Sequence, residues 1–333
     1  MYIIAEIGVN HDGSLEKALK LIDLAKECGC DAVKFQSFYA ERLVHPKALK
    51  VDYQLRSNSN NESHYEMIKR LEFNGEKFLK AFSYARKLNI DFITTPYDPL
   101  SVDEVYSIGV RLFKTASADL GDIYLHTKLG EFNDIETYIA TGMSDLKTIH
   151  NTLSFYKNDK PHILHCVSGY PCLDESINLN CINLLNKEFP DNLIGFSDHS
   201  KGFTSAIVGA SLGYSIFERH FTIDKSDNGP DHYASSDFNE MQSYVNELRR
   251  IKKILGDNKK SLQREELGMN NRSKKAFIAK NKIKAGDLIT IDNTYALRSA
   301  EMGICVDESE FIIGKMVKKD INKNEFLQYS DIK

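Results

Sequence analysis

Eight short apolar runs, each followed by a helical pattern, succeed one another from residue 2 to residue 255. They read YIIAEIG, AVKFQSF, DFITTPYD, RLFKTASAD, ETYIATGMS, HILHCVSGYP, LIGFSDHS and SIFERHF. Runs that are apolar almost throughout belong to parallel sheets covered on both faces, and a regular β–α alternation builds such sheets. Eight units over ~250 residues close most simply into a (β/α)8 barrel of the TIM type. An open doubly wound sheet is the competing α/β architecture. It calls for G-x-G-x-x-G after the first strand, and NHDGS at 10–14 does not supply it.

Every run ends on polar side chains. The first four end on Glu6, on Lys34 and Gln36, on Thr94 and Thr95, and on Lys114 and Ser117. The last four end on Thr141, on Ser168, on Ser197, Asp198 and His199, and on Glu218 and His220. Active sites of such barrels lie at the C-terminal ends of the strands. One polar strand end would carry little weight, but eight point to a site.

The rest of the chain has a different texture. We assign the barrel to 1–258, a polar linker to 259–274 and a small, mostly β domain to 275–333. In that last part IKAGDLITIDNT (283–294) is echoed 38 residues later by INKNEFLQYSDI (321–332), which suggests two similar lobes. A polar segment at 40–63 is too long for a routine connection and suits a functional loop.

Composition excludes several classes. With 333 residues, 42% hydrophobic, and a net charge of -4, the chain is globular and offers no electrostatic reason to bind nucleic acid or a membrane surface. No apolar run approaches the ~18 residues of a membrane span. The six cysteines show no C-x-x-C spacing, and the first strand begins at once, so a reduced, cytoplasmic location is expected.

His199 and His220 stand 21 residues apart, one helix-and-strand repeat. On adjacent strand tips, ~4.8 Å apart, two imidazoles can grip one cation. Two nitrogens with oxygen donors nearby leave positions open for water and substrate, which suits Mn2+ or Mg2+ better than structural zinc. Asp198 adjoins the first histidine and Glu218 precedes the second by two, so both are candidate catalytic carboxylates. Lys34 and Lys114 each interrupt an apolar strand, which is costly unless an anion or acid pairs with them. Three readings are open: a Lys–Glu pair inside the barrel, with Glu6 as partner; a phosphate or carboxylate clamp, helped by Thr95, Ser117 and Ser197; or a Schiff-base lysine. Two lysines beside a metal pair favour phosphate.

EIGVNHDGS, VKFQSF, ITTPYD, GFSDHS, FERHF and GPDH together resemble the sialic acid synthases, including the legionaminic and pseudaminic acid synthases. The similarity spans nearly the whole chain, and the C-terminal lobe resembles their antifreeze-like (SAF) domain. These are enzymes that condense phosphoenolpyruvate with N-acetylmannosamine or a related 2,4-diacetamido sugar. The resemblance implies that His199 and His220 hold the metal. It implies that Lys34, Thr95, Lys114, Ser117 and Ser197 bind phosphoenolpyruvate. Glu6 would act at the sugar's reacting end, Glu218 beside the metal-bound groups, and Gln36, Tyr170 and Asp231 on the sugar. A domain-swapped homodimer is also implied, with Arg298 of one subunit reaching the acetamido group in the other. Ala140, Ser168, the Ser117-Ala118-Asp119 turn and Arg298-Ser299-Ala300 depart from the family's usual residues.

The expected reaction is attack of phosphoenolpyruvate C3 on the open-chain aldehyde, addition of water at C2 and loss of phosphate. A Schiff-base aldolase and a non-catalytic sugar-binding protein are the rival readings. The loop at 53–66 is expected to carry the choice of sugar.

Overall fold

The structure is a computed structural model that describes residues 1–50, 54, 62–157 and 160–333. Much of the loop expected to choose the sugar lies outside the described residues. The strands are β1 (Tyr2–Gly8), β2 (Ala32–Ser37), β3 (Asp91–Pro96), β4 (Leu112–Thr115), β5 (Glu136–Ala140), β6 (His162–Cys166), β7 (Ile194–Ser197) and β8 (Ile216–His220). They form a closed barrel in sequence order, every pair parallel, with β8 returning to β1. The eight-unit reading is therefore the fold.

The helices begin and end where local chemistry requires. Ser14, the last residue of NHDGS, accepts the Lys17 N–H and caps the helix Leu15–Cys28. Gly29 ends that helix at φ 84°, a left-handed conformation that costs a glycine little. Asp237 and Glu240 form a reciprocal capping box at the start of Phe238–Leu255. That helix buries Met241, Tyr244, Val245, Leu248 and Ile251 against the barrel's outer core.

Alternation along each strand divides the side chains between the outer core and the barrel axis. At the axis, Ile4, Ala32, Ile93, Tyr138, Leu164 and Ile216 make an apolar floor. Gly195 belongs to this level, and a Cβ there would come within 2.4 Å of Leu164 and 2.7 Å of Ile216. The next inward positions toward the C-terminal ends are Glu6, Lys34, Thr95, Lys114, Ala140, Cys166, Ser197 and Glu218, so on most strands the axis changes from carbon to polar or charged groups at one level.

Contacts divide the chain into units 1–256 and 257–333. The stretch expected to be linker holds a helix, Leu267–Ser273. In the second unit β9 (Lys275–Ala279) pairs antiparallel with β10 (Thr294–Arg298). The sequence echo is structural. Lys284 N–H donates to Asp287, and Asn322 N–H, 38 residues on, donates to Glu325. Gly286 and Asn324 hold the matching left-handed positions, φ 96° and 67°. Ile283 and Ile321 pair reciprocally, each N–H on the other's carbonyl at 2.9 Å. Among the described residues no helix is long and apolar enough to cross a membrane.

Candidate active site

The strand tips of the barrel open into a cavity of about 450 Å3. Of the residues given catalytic, substrate or metal roles from sequence, all but Asp198 and Arg298 line it; of the other polar strand ends, Ser168 lines it and Thr94 and Thr141 do not. Its deepest part is an ion-pair network. Lys34 Nζ lies 2.6 Å from Glu6, and Lys114 Nζ lies 2.8 Å from Glu218, with Lys34 a further 3.7 Å from Glu218. Register explains the first pair, because Glu6 stands opposite Lys34 across β1 and β2. The Lys–Glu pair weighed from sequence is thus present, and Lys114–Glu218 is a second that sequence reasoning did not name.

All four side chains are almost wholly buried, and two acids balance two ammonium groups. Burial by itself would raise the Glu218 pKa. The charges of Lys114 and Lys34, with hydrogen bonds from Lys114 and from Ser197 Oγ at 2.8 Å, hold it well below the usual range. Glu6 moves the other way, raised by its burial and by the Glu218 charge against the opposing pull of Lys34. Glu6 is therefore the carboxyl of the pair able to carry a proton. It accepts a hydrogen bond from Gln36 Nε2 at 3.2 Å.

The histidines sit above this network, ring centres 5.5 Å apart. His199 Nδ1 donates to the Val167 carbonyl at 2.9 Å, which in the neutral ring leaves Nε2 with a free lone pair; against its burial, the Cys166 thiol and that carbonyl raise the His199 pKa above the ordinary imidazole value. His220 is lowered well below the ordinary imidazole value, chiefly by burial and then by His199, so its ring is neutral at pH 7. Its Nδ1 is buried without a hydrogen bond among the described residues, 3.7 Å from the Asp231 carboxylate. An imidazole nitrogen beside a second imidazole and a carboxylate is a donor set that a divalent cation takes, whereas the described residues whose ligand atoms gather within 4.8 Å of one another are Asp12, Asp227 and His232. Tyr170 packs against His199 with the rings tilted by 36°, centres 4.2 Å apart, and meets His220 edge-on at 5.8 Å. Asp231 is raised to about 6 by burial and by the Glu6 charge.

Hydroxyls ring the lysines. Thr95 Oγ1 accepts from Lys34 at 3.1 Å, and Ser117 Oγ accepts the Gly142 N–H at 3.1 Å. Ser168, one of the departures from the family pattern, points a buried hydroxyl with no hydrogen bond among the described residues into the same cavity.

Asp198 does not join them. Ser197 and His199 face the cavity, so the residue between them faces the outer layer. There its carboxylate binds Arg219 at 2.9 Å and accepts from the Ser200 hydroxyl at 2.6 Å. Arg219 lies between Glu218 and His220 and is turned outward by the same alternation. Adjacency in sequence was misleading, and Asp198 is a structural ion-pair partner rather than a catalytic carboxylate. Arg298 is the last residue of β10 in the second unit.

Cys166 was missed. Its thiol lies 3.8 Å from His199 Nδ1. Burial would raise it, but His199 and then Lys114 bring its pKa down to about 7. Two-residue alternation from Leu164 would have placed it on the axis. It was passed over because cysteine reads as an apolar residue.

Asp119, in the turn after β4, is raised from 3.8 to about 7 by burial and by Asp122. Between those values the fold holds a proton that the unfolded chain has lost, so Asp119 makes stability fall as pH rises. Asp119→Asn is expected to remove that slope and raise stability at pH 8, measured by urea unfolding at pH 5 and pH 8.

A closed (β/α)8 barrel with a charged, histidine-bearing mouth, followed by a small two-lobed β domain, defines the class. The NeuB family matches residues 21–260 and the SAF domain matches 274–333, and the chain belongs to the NeuB family. It is 34% identical over 331 residues to the N,N'-diacetyllegionaminic acid synthase of Campylobacter jejuni, covering 98% of each chain. It is 31% identical to the human N-acetylneuraminate-9-phosphate synthase, over 97% of this chain and 90% of that one. The crystal structure of the sialic acid synthetase of Leptospira borgpetersenii superposes with a TM-score of 0.70 at 32% identity, covering 81% of this chain and 90% of that one.

Proposed function

We propose that this protein condenses phosphoenolpyruvate with an open-chain 2-acetamido aldose of the N-acetylmannosamine type, giving a nonulosonic acid and inorganic phosphate. The observation that carries this reading is the meeting of two buried lysines, a hydroxyl ring and two imidazoles in one cavity. Lys34 and Lys114 hold the phosphate and carboxylate charge, with Thr95, Ser117 and Ser197 as further hydrogen-bonding groups. His199 and His220 hold Mn2+ or Mg2+, which supplies Lewis-acid polarisation of the sugar aldehyde. Gln36, Tyr170 and Asp231 orient the sugar.

The bond from phosphoenolpyruvate C3 to the aldehyde carbon forms as the aldehyde oxygen takes the C=O electron pair. Water then adds at C2, and the Glu6 carboxylate takes the proton that this water releases and passes it to the sugar alkoxide. The C2–O bond to phosphate breaks, the C2 hydroxyl becomes the ketone, and its proton leaves with phosphate. Glu6 ends as it began. Glu218 remains ionised throughout and keeps Lys114 charged. That charge weighs against a Schiff-base aldolase, which needs a neutral amine.

The same reading places the protein in the cytoplasm as a homodimer, with Arg298 of one subunit on the acetamido group bound by the other. The test is phosphate release from phosphoenolpyruvate with Mn2+ and a panel of acetamido aldoses, with the mass of the active species taken by light scattering. Release that requires both substrates is the expected result. Borohydride trapping of pyruvate on Lys34 or Lys114, with no use of phosphoenolpyruvate, would overturn the reading.

A further inference from the structure

NHDGS at 10–14 follows β1 and GPDH at 229–232 follows β8, and of these residues only Asp231 has a role in the chemistry proposed above. Because β8 pairs with β1, the two segments are neighbours. The segment after β8 leaves the barrel and returns to the same point. Thr222 N–H donates to the Ser236 carbonyl and Ser236 N–H to the His220 carbonyl, each at 2.9 Å. Between these ends it carries Pro230 and Asp231 into the cavity wall.

The segment after β1 grips this loop at Asp231 and at the residue that follows it. Asn10 is buried, and its Nδ2 donates to the Ser235 hydroxyl at 2.8 Å and to the Phe221 carbonyl at 3.0 Å. The Ser235 hydroxyl donates in turn to the Asp231 carbonyl at 2.7 Å. His232 is buried too, with Nε2 3.2 Å from Asp12 and Nδ1 2.7 Å from the Thr222 hydroxyl. The fit is close, since a Cβ at Gly229 would come within 2.6 Å of the His232 ring and 3.1 Å of Asp12. Asp12, Asp227 and His232 are spaced as cation ligands, but the Lys17 ammonium already lies 2.7 Å from Asp12 and 3.0 Å from Asp227. Burial would raise the Asp12 pKa, yet the bonds to His232 and Lys17 hold it below the ordinary value. This group is a tie between two loops that contains its own cation.

Resting on the sugar role proposed above for Asp231, we infer that Asn10 and Asp12 are positioning residues for the sugar: through Ser235 and His232 they fix the backbone that carries Asp231, and so set where its carboxylate meets the sugar beside His220. A loop held only at its base would have to be ordered by the sugar itself, at a cost in conformational entropy that the existing bonds remove. A positioning group displaced by ~1 Å costs about a hundredfold in rate, which bounds the expected effect.

The experiment measures kcat and KM for phosphoenolpyruvate and for the acetamido aldose that gives the fastest phosphate release. It uses the full-length protein with Mn2+, and the variants Asp12→Ala, Asn10→Ala, Asp231→Ala and Asp12→Ala combined with Asp231→Ala. Asp12→Ala and Asn10→Ala are each expected to lower kcat/KM for the aldose by about ten- to a hundredfold, chiefly through its KM, with the KM for phosphoenolpyruvate little changed. In the double variant, Asp12→Ala is expected to add less than about twofold to the loss caused by Asp231→Ala, because the tie acts through that carboxylate. Asp12 is only partly buried, so its variants keep the test open if Asn10→Ala does not fold. Losses that multiply in the double variant, or that fall equally on both substrates, would overturn the inference. So would a second Mn2+ per chain, seen by calorimetry and lost in Asp12→Ala. An unchanged aldose KM in Asp231→Ala would overturn it together with the sugar role of Asp231, leaving the condensation intact. Phosphate release with no aldose of the panel would overturn the condensation and the inference with it.

Discussion

His199→Ala is expected to lower phosphate release by about a thousandfold or more while leaving the barrel folded. A Lewis acid contributes several kcal/mol to such a barrier, and each ~1.4 kcal/mol is a factor of ten. What the fold loses is small by comparison. His199 is a strand-tip side chain whose Nδ1 bonds the Val167 carbonyl, worth about 0.5–1.5 kcal/mol, and meets the Cys166 thiol at 3.8 Å. The two effects are separable. Mn2+ binding followed by calorimetry should weaken in His199→Ala and in His220→Ala. Affinity for phosphoenolpyruvate should change little, because the lysines are untouched. A variant that released phosphate at near the normal rate would remove the metal assignment.

Lys114→Ala is expected to damage both stability and activity. Glu218 is 3% exposed and would keep only Lys34, 3.7 Å away, as a cationic partner. Breaking a buried pair from one side typically costs about 3–5 kcal/mol, because the remaining charge stays buried without compensation. The sign of the pH effect follows from the direction of the shift. In the intact protein Glu218 is held below the ordinary carboxylate range. Its contribution is therefore present at neutral pH and fades as pH falls through the acid range. The stability gap between the intact protein and Lys114→Ala should thus be widest near pH 7 and should narrow below pH 4. Urea unfolding at both pH values measures it. Lys114→Met combined with Glu218→Gln should recover much of the stability, since the charges leave together, but none of the phosphate release. A gap that did not vary with pH would show that packing around Lys114, and not its charge, is what the fold needs.

Legibility in the sequence differed by kind of feature. The eight strands were readable because each is short, apolar and bounded by capping residues such as Ser14 and Asp237. The lobes of the second unit were readable because the turn chemistry repeats, Gly286 and Asp287 against Asn324 and Glu325. Within the site, strand-end position was a better guide than sequence adjacency. Glu218 and His220, two apart, share a face. Asp198 and His199, one apart, do not, and strict alternation would have separated them in advance. Cys166 was equally accessible to that rule and was overlooked for its residue type. The Lys114–Glu218 pair was not readable in this way. It joins β4 to β8 across the barrel axis, and no local pattern encodes a contact between strands that are not neighbours.

Period-two and period-three-to-four patterning, with turn and cap residues, was enough to determine the barrel, the second domain and most of the residues at the mouth. Those signals are local, and the chain carries them wherever it goes. Which carboxyl is ionised, which imidazole nitrogen is free and where charge gives way to carbon depended on closure of the barrel. Closure brings Glu6, Lys34, Lys114 and Glu218 out of water into one another's fields. It also sets Asn10 and Asp12 after β1 against Ser235 and His232 after β8. Burial and proximity between distant segments set these properties, and both arise only once the strands have met.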